Sequence, residues 1–296
     1  MQAEQIEMVS VGQLVPEKHP YRRLKKLLDF VRIGKSVKIK ESRLGANGFG
    51  RVRLIMCLIL QFMEDLSDRE FERFVAENNA AKWFCGFGLL EKTPDFSTIC
   101  KFRNLIGTKQ MTNLFHEVKR QLIAQNCCAE VFTFVDSSAL ISKLSLWEER
   151  DKAIAAGYER LNNEVLPEVS ADTEARIGAK SDNKFWYGFK KHVAVDMQSG
   201  MITRVAVTPT NVADSAGAIS KMLRRRLHPM VIKRNNMKDK NADLDRWITK
   251  LRSPYEGTFS KQNKRARYKG VVKNQGAEFL YAIAFNFRRL LALNPT

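Results

Sequence analysis

Residues 131–138 read VFTFVDSS, and this stretch decides how the second half of the chain is interpreted. Its first five residues are β-branched or aromatic, which is typical of a strand buried on both faces. The run stops at Asp136, so the pattern predicts a carboxylate at the end of a buried strand. Such a position presents a charge to a substrate without burying it. On this stretch alone, the alternative is that Asp136 merely ends the strand or caps the next turn.

The chain has 296 residues, enough for two domains, and its charge is unusual. Fifty Lys and Arg residues against 32 Asp and Glu residues give a formal net charge of +18. A field of this sign favours polyanionic partners, with nucleic acid first and an anionic membrane second. The longest apolar run, Leu54–Phe62, has nine residues, whereas a membrane span needs roughly 20. We therefore expect no membrane partner.

The N-terminus and the cysteines indicate the compartment. The sequence MQAEQIEMVS has no signal-peptide pattern, so we expect a cytoplasmic protein, associated with the nucleoid through its charge. The five cysteines occur at spacings that match no zinc or disulfide framework. They are expected to be reduced thiols, mostly in the core.

The first half of the chain predicts an all-helical module at residues 21–126, preceded by a flexible N-terminus at residues 1–20. Apolar residues recur with the helical period in residues 21–33. Ser67 and Glu70 form a capping-box pattern at the start of a further helix. Short connections between such helices are typical of a bundle.

This helical module is a candidate DNA-binding domain. It can contain a helix-turn-helix, and its recognition surface would then include Lys101 and Arg103, near the start of the fourth predicted helix. The alternative is a bundle whose charged residues are simply solvated. We therefore expect DNA contact from the module as a whole more than from any one residue.

The chain changes character after the first strand. Residues 141–182 are polar and irregular apart from a helix predicted near 147–162, which indicates a surface insertion. Two β-rich runs follow at 185–196 and 201–208, and the Ser199-Gly200 turn between them predicts a hairpin. Three successive strands are therefore expected. The remaining predicted elements are a helix at 215–226, a short strand at 230–233, and helices at 242–251, 254–264 and 274–293.

The positive charge is concentrated near the C-terminus. Residues 201–296 contain 20 Lys and Arg against six Asp and Glu, so they carry +14 of the total +18. The densest patch, KQNKRARYK at 261–269, contains five cations. A charged run is usually a solvated face, but this one accompanies a candidate acidic site, which favours contact with a phosphate backbone. The DNA-binding residues predicted in this patch are Lys261, Lys264, Arg265 and Arg267.

Three strands followed by helices, with an aspartate ending the first strand, outline an α/β fold. The predicted architecture is a ribonuclease-H-like core at residues 130–294, a mixed sheet flanked by helices. Nucleotidyl transfer on such a fold needs clustered carboxylates that hold two divalent metal ions. Hard oxygen ligands suit Mg²⁺, with Mn²⁺ as a possible substitute.

Six motifs along the chain resemble the DDE-type transposases of bacterial insertion sequences, and more narrowly the group named after insertion sequence five. The motifs are PDFSTICKFR at 94–103, VDS at 135–137, YGFKKHVAVD at 187–196, TPTNVADS at 208–215, RSPYEGTF at 252–259 and the terminal helix containing Phe285-Asn286. No single motif is decisive, but six in the right order are specific. The resemblance implies double-stranded DNA as the partner, both terminal inverted repeats and target, bound by a homodimer.

The resemblance also implies roles for individual residues. Asp136 becomes the first metal-binding aspartate and Glu256 the final catalytic glutamate. Arg252, four residues before Glu256, matches the arginine of the family's Tyr-Arg-Glu-Lys signature, whose basic residues are expected to hold DNA ends. The tyrosine position of that signature is Thr249 here, and the lysine position falls on Asn263, with a lysine directly after it.

Structural alternatives exist for the acidic residues. Residues 253–256, Ser-Pro-Tyr-Glu, also form a capping box with proline at the first helical position. Asp196 stands just before the Ser199-Gly200 turn, which favours a turn residue over a ligand. Asp214 is expected to cap the helix at 215–226.

The family's second aspartate has no counterpart in this sequence. It normally follows a fourth strand in a motif like Ala-Asp-Lys-Gly-Tyr, but only 15 residues separate Asp214 from Met230. A returning strand, its aspartate and a crossover helix would need about 10–12 residues more. We therefore expect an internal deletion near residues 223–229, and a catalytic centre that is weak or inactive.

The expected function is that of an insertion-sequence transposase impaired in this copy. It would bind transposon-end DNA and carry out metal-dependent phosphodiester hydrolysis and strand transfer. The alternative is a non-catalytic, sequence-specific DNA-binding protein derived from a transposase. A basic RNA-associated protein ranks lower, because the sequence lacks the aromatic motif of RNA readers.

Overall fold

A computed structural model of the protein describes residues 8–39, 48–129, 133–181, 184–212, 241–243, 245–247, 249–250 and 263–295. The chain divides into two compact units. The first comprises Met1–Cys127 and Phe279–Thr296, and the second comprises Cys128–Glu278. The second unit therefore ends before residue 294, the limit that the sequence predicts.

Helices build the described part of the first unit. They are α1 (Pro20–Leu27), α2 (Phe30–Lys35), α3 (Arg51–Met63), α4 (Asp68–Glu77), α5 (Asn79–Cys85) and α6 (Phe96–Ala124). Ser67 and Glu70 form the predicted capping box of α4. At the start of α6, the Thr98 amide donates to the Asp95 carboxylate at 2.6 Å. Side chains thus satisfy the free amides that every helix start leaves.

Two predicted helices differ from the prediction in detail. The helix expected over residues 21–33 is divided at Leu28, whose extended backbone ends α1, and Asp29 then caps α2. Gly107 has φ 62° and breaks α6 into two helical halves.

Residues 8–19 precede α1 and form turns, although the sequence predicts a flexible segment there. Val15 is buried, and Arg22 Nε donates to the Val15 carbonyl oxygen at 3.1 Å. The buried apolar side chain and the bonded guanidinium explain why this segment has a defined course.

The core of the first unit includes the end of the chain. Phe287 packs edge-to-face against Phe30 with ring centroids 5.7 Å apart, and the ring centroid of Phe279 lies 5.5 Å from that of Phe115. Both residues belong to the C-terminal helix α9 (Val271–Leu293). Aromatic packing of this kind explains why residues 279–296 group with the helical unit rather than with the sheet.

An antiparallel sheet forms the described centre of the second unit. Its strands are β1 (Thr133–Ile141), β2 (Arg176–Ser181), β3 (Lys184–Asp196) and β4 (Ile202–Pro209). The long strand β3 pairs with each of the other three. The Ser199-Gly200 turn joins β3 to β4, with Gly200 at φ 72°, so the predicted hairpin is confirmed.

The segment predicted as a surface insertion, 141–182, contributes to the sheet and to the core. It forms α7 (Leu146–Ala155), α8 (Leu166–Val169) and β2. The helix predicted near 147–162 is shorter than expected and is followed by Gly157 at φ 87°. Leu166 lies in one buried cluster with Leu140, Tyr187, Phe189 and Ala266. The polar composition of this segment concealed a strand that carries few apolar residues of its own.

Side chains from distant loops fix the start of α9. The Gly270 amide donates to both carboxylate oxygens of Asp172 at 3.1 Å, and the Val271 amide donates to Glu174 at 2.5 Å. Negative charge is favourable at a helix N-terminus because of the helix dipole. One turn on, the Gln275 side chain bonds the backbone of Val205 and Val207 at 3.1 and 2.7 Å, which occupies the edge of β4.

Several predicted elements lie outside the described residues. These are the helix at 215–226, the strand at 230–233, the expected deletion near 223–229 and most of the helix at 254–264. Residues 242–243, 245–247 and 249–250 are helical, as predicted. Where the chain is described, none of its helices combines the length and the apolar character that crossing a membrane would require.

Candidate functional site

Asp136 lies in the middle of β1, not at its end. The strand continues for five residues past the carboxylate, to Ile141, and Asp136 itself opposes Val193 of β3. The predicted strand is confirmed, but its predicted end is wrong. Ser137 and Ser138 do not interrupt the ladder, because backbone groups alone form it. The Asp136 side chain is half-buried.

The strand register determines which side chains share a face with Asp136. Side chains alternate along a strand, and directly opposed residues point to the same face. Ser138 opposes Lys191, and Leu140 opposes Phe189. Asp136 therefore shares its face with Lys191 and with the buried core cluster at Leu140. Within β1, Leu140 is buried, whereas the side chains from Thr133 to Ala139, Asp136 among them, are half-buried.

The described residues provide one of the two predicted metal ligands. Glu256 lies outside them, and in the part of the chain that is described no three His, Cys, Asp or Glu side chains are arranged to hold a metal ion. Asp196 accepts hydrogen bonds from the Ser199 amide at 2.9 Å and the Ser199 hydroxyl at 2.6 Å, which confirms it as a turn residue. Asp136 offers the hard oxygen that Mg²⁺ prefers, but these residues do not complete a site.

Residues 263–270, here called the basic segment, are held beside the end of β1 by backbone hydrogen bonds. The Ile141 amide donates to the Lys264 carbonyl oxygen at 2.7 Å, and the Ala266 amide donates to the Ile141 carbonyl oxygen at 2.7 Å. These bonds form a parallel bridge between Ile141 and Arg265. Ala266 is buried in the core cluster, whereas Lys264 and Arg265 are exposed.

A second set of bonds holds the downstream end of the basic segment. The Asn274 side chain accepts from the Tyr268 amide at 3.2 Å and donates to the Tyr268 carbonyl oxygen at 2.7 Å. Arg267 is half-buried and Lys269 is exposed. Exposed cations on an anchored backbone can meet phosphates without reordering the main chain. Two other predicted DNA-binding residues, Arg252 and Lys261, lie outside the described residues.

The two cations predicted in the helical unit have different surroundings. Lys101 is exposed on α6 and remains a candidate for phosphate contact. Arg103 is 7% exposed, and its guanidinium donates to the two carboxylate oxygens of Asp68 at 2.7 and 2.8 Å. Gln61 also donates to Asp68, at 2.7 Å. A bidentate pair uses the donors that a phosphate would need. The structure therefore places Arg103 in an internal ion pair, and its expected DNA contact stays a prediction.

The sequence reasoning missed a second buried ion pair. Lys191 Nζ lies 3.5 Å from Glu278 Oε2 on α9 and also donates to the Asn263 carbonyl oxygen. Burial lowers the pKa of Lys191 and raises the pKa of Glu278, and the opposite charge of each partner counteracts both shifts. A signal existed in the sequence, because Lys191 lies two residues from both Phe189 and Val193. The strand period therefore places it on the same inward face as these two apolar residues.

Two family models for transposases match the chain. The model described as Transposase domain (DUF772) matches residues 9–105, and the model described as Transposase DDE domain matches residues 163–281. No solved structure matches the chain. The first match covers most of the helical unit, and the second covers β2 to β4, the basic segment and the start of α9. An antiparallel sheet with helices fits the ribonuclease-H-like core of a DDE domain. Together the two matches support the assignment of the chain to the DDE-type insertion-sequence transposases.

Proposed function

We propose that this transposase chain binds DNA at the ends of an insertion sequence and carries an impaired site for phosphodiester hydrolysis and strand transfer. Transposase domains imply DNA as the partner. The six ordered sequence motifs support the narrower group named after insertion sequence five. We further propose that the chain acts as a homodimer on terminal inverted repeats and target DNA.

The basic segment is the observation that carries the DNA-binding proposal. Lys264, Arg265 and Lys269 are exposed on a backbone that Ile141, Asn274 and Asp172 hold in place. A cationic side chain on an anchored backbone loses less conformational entropy when it binds a phosphate than one on a flexible loop. The net charge of +14 in residues 201–296 adds a field that attracts a polyanion.

For catalysis, we propose that Asp136 and Glu256 are ligands of Mg²⁺, for which Mn²⁺ would substitute. A bound metal of this kind supplies Lewis-acid activation of the phosphodiester. The contribution of this chain is a half-buried Asp136 carboxylate on a strand that pairs with β3 both before and after this residue.

A second candidate function is that of a non-catalytic DNA-binding protein derived from a transposase. The observation that favours it is the short distance of 15 residues between Asp214 and Met230, which leaves no room for the second aspartate and its strand. We propose that this deletion weakens catalysis in either case.

DNA binding is tested with a duplex that carries the terminal inverted repeat of the element. Binding constants for the wild type and for Lys264→Gln/Arg265→Gln are measured over a range of salt concentrations. Two lost phosphate contacts should reduce the slope of log K against log salt by about 1.8. Arg160→Gln, which removes an exposed arginine of the same unit outside the basic segment, should leave the slope unchanged. Equal slopes for the wild type and the double variant would refute the role of the basic segment.

Catalysis is tested on the same duplex with Mg²⁺ or Mn²⁺, by comparing the wild type with Asp136→Ala. Asp151→Asn, an exposed aspartate on α7, is the matched control. Tight binding without cleavage by the wild type would favour the second candidate. Efficient cleavage that is lost only in Asp136→Ala would show that the site is not impaired.

A further inference from the structure

Lys191 is buried in the second unit, although a basic DNA-binding protein normally exposes its lysines. It is 1% exposed, and its partner Glu278 is 4% exposed. Both groups lose hydration there, and the attraction between buried charges often fails to offset that loss. A buried pair is therefore a weak source of stability. The role of the pair is better judged from the other groups to which Lys191 is hydrogen-bonded.

Besides Glu278, Lys191 contacts the basic segment. Lys191 Nζ donates to the carbonyl oxygen of Asn263, the first described residue of that segment. The Asn263 side chain in turn accepts from the Arg265 amide at 3.0 Å. The next carbonyl, that of Lys264, accepts from Ile141. The ammonium group thus fixes the peptide directly before the exposed cations.

The basic segment has an upstream and a downstream anchor. At the downstream end, the Asn274 side chain is bonded to the Tyr268 backbone, and the Asp172 carboxylate accepts from the Gly270 amide. At its upstream end the basic segment is bonded by Lys191 at Asn263 and by Ile141 at Lys264, and of these two contacts the one from Lys191 carries a charge. Rotation of the peptide after Asn263 would change the directions in which the following side chains leave the backbone.

We infer that Lys191 is a positioning residue for DNA binding, whose ammonium group fixes the backbone at Asn263 and thereby directs Lys264 and Arg265 toward phosphate. Glu278 holds the ammonium group in place from α9. Lys191 itself makes no phosphate contact, since it is buried. This inference rests on the proposed function, because it presupposes that Lys264 and Arg265 bind phosphate.

The first test separates positioning from stability. Lys191→Met/Glu278→Met removes both charges together, and apolar replacement of a buried ion pair is often neutral for stability. We expect a melting temperature close to that of the wild type. Affinity for the inverted-repeat duplex at 0.1 M salt should nevertheless fall by at least about eightfold, the contribution of one phosphate contact at that salt concentration. Unchanged affinity in the folded variant would overturn the inference.

The second test asks whether Lys191 acts through the exposed cations. The four substitutions are combined, and the loss of affinity is compared with that of Lys264→Gln/Arg265→Gln alone. If Lys191 acts through these two residues, the combined variant should match the double variant within about twofold. Losses that multiply would place the role of Lys191 elsewhere and would overturn the inference. If Lys264→Gln/Arg265→Gln has no effect, the proposed function of the basic segment fails instead.

Glu278→Gln provides a variant that is nearly identical in shape, in case the apolar replacement does not fold. It keeps the Lys191 donor and its bond to Asn263. The inference predicts DNA affinity within about twofold of the wild type, even where the melting temperature falls. A loss as large as that of Lys264→Gln/Arg265→Gln would contradict it.

Discussion

Arg103→Lys separates a DNA contact from an internal ion pair in the helical unit. Lysine keeps the charge but cannot form the two parallel bonds that the guanidinium makes to Asp68 at 2.7 and 2.8 Å. Loss of a charged hydrogen bond costs about 1.5–3 kcal/mol. The Asp68 side chain is 26% exposed, so water compensates part of the loss. We therefore expect the lower part of that range, about 2 kcal/mol.

This loss of stability converts into a measurable change in melting temperature. For a unit of this size, about 1 kcal/mol lowers the melting temperature by about 2–4 °C, so Arg103→Lys should melt about 4–8 °C below the wild type. Circular dichroism of the full chain at several salt concentrations measures this. Lys101→Gln, on the exposed face of the same helix, is the matched control and should leave the melting temperature unchanged.

The DNA-binding assay completes the test. Arg103→Gln removes the charge as well, and well below its melting temperature it should bind the inverted-repeat duplex with the salt slope of the wild type. Asp68→Asn should lower the melting temperature too, and the double variant should show coupling between the two sites. A melting temperature of Arg103→Lys within about 1 °C of the wild type, together with a salt slope of Arg103→Gln reduced by about 1, would refute the ion-pair assignment.

Three further predictions concern the second unit. Gly188→Ala should lower the free energy of unfolding by about 2–3 kcal/mol, because Gly188 has φ 146° and a Cβ there would lie 2.4 Å from a carbonyl oxygen of β1. The control is Gly48→Ala, whose Cβ would have no atom within 4 Å and which should be neutral in the same thermal melt. Asp172→Ala removes the acceptor at the start of α9, so it should cost about 1 kcal/mol and speed hydrogen exchange at the Gly270 amide; unchanged exchange would argue against the cap. Burial raises the pKa of Tyr187 to about 12, so its contribution to stability is complete below the unfolded pKa of about 10 and is lost as pH rises from there through 12. Tyr187→Phe should flatten that part of the stability profile, and a profile identical to that of the wild type would contradict it.

The strands show how far local patterns reach. The hairpin of β3 and β4 was predictable because both strands are rich in β-branched and aromatic residues and a glycine turn joins them. The end of β1 was not predictable, because pairing with β3 carries the strand past Asp136 through Ser137, Ser138 and Ala139, which have no strong strand preference. The strand β2 was missed for the same reason: it is a strand because β3 lies beside it.

The candidate site shows a different limit. Arg103 lies four residues after Ile99 and three residues before Ile106, so the helical period itself places it on the buried face. The sequence therefore contained a signal against DNA contact. The partner Asp68, 35 residues earlier, could not be identified from that period. Lys191 is the parallel case in the sheet, since its inward position was visible and Glu278 was not.

Local sequence patterns were sufficient to predict the strong positive charge, the transposase resemblance, the helix caps and the strand that carries Asp136. These properties depend on composition and on residues within a few positions of one another. Only folding brought Arg103 to Asp68 and Lys191 to Glu278, and only folding fixed the backbone of the basic segment beside β1. Lys191 and Glu278 are 87 residues apart, and Asp172 and Gly270 are 98 residues apart. Such pairs form only when folding brings distant elements together, and burial then selects the partners that satisfy each polar group.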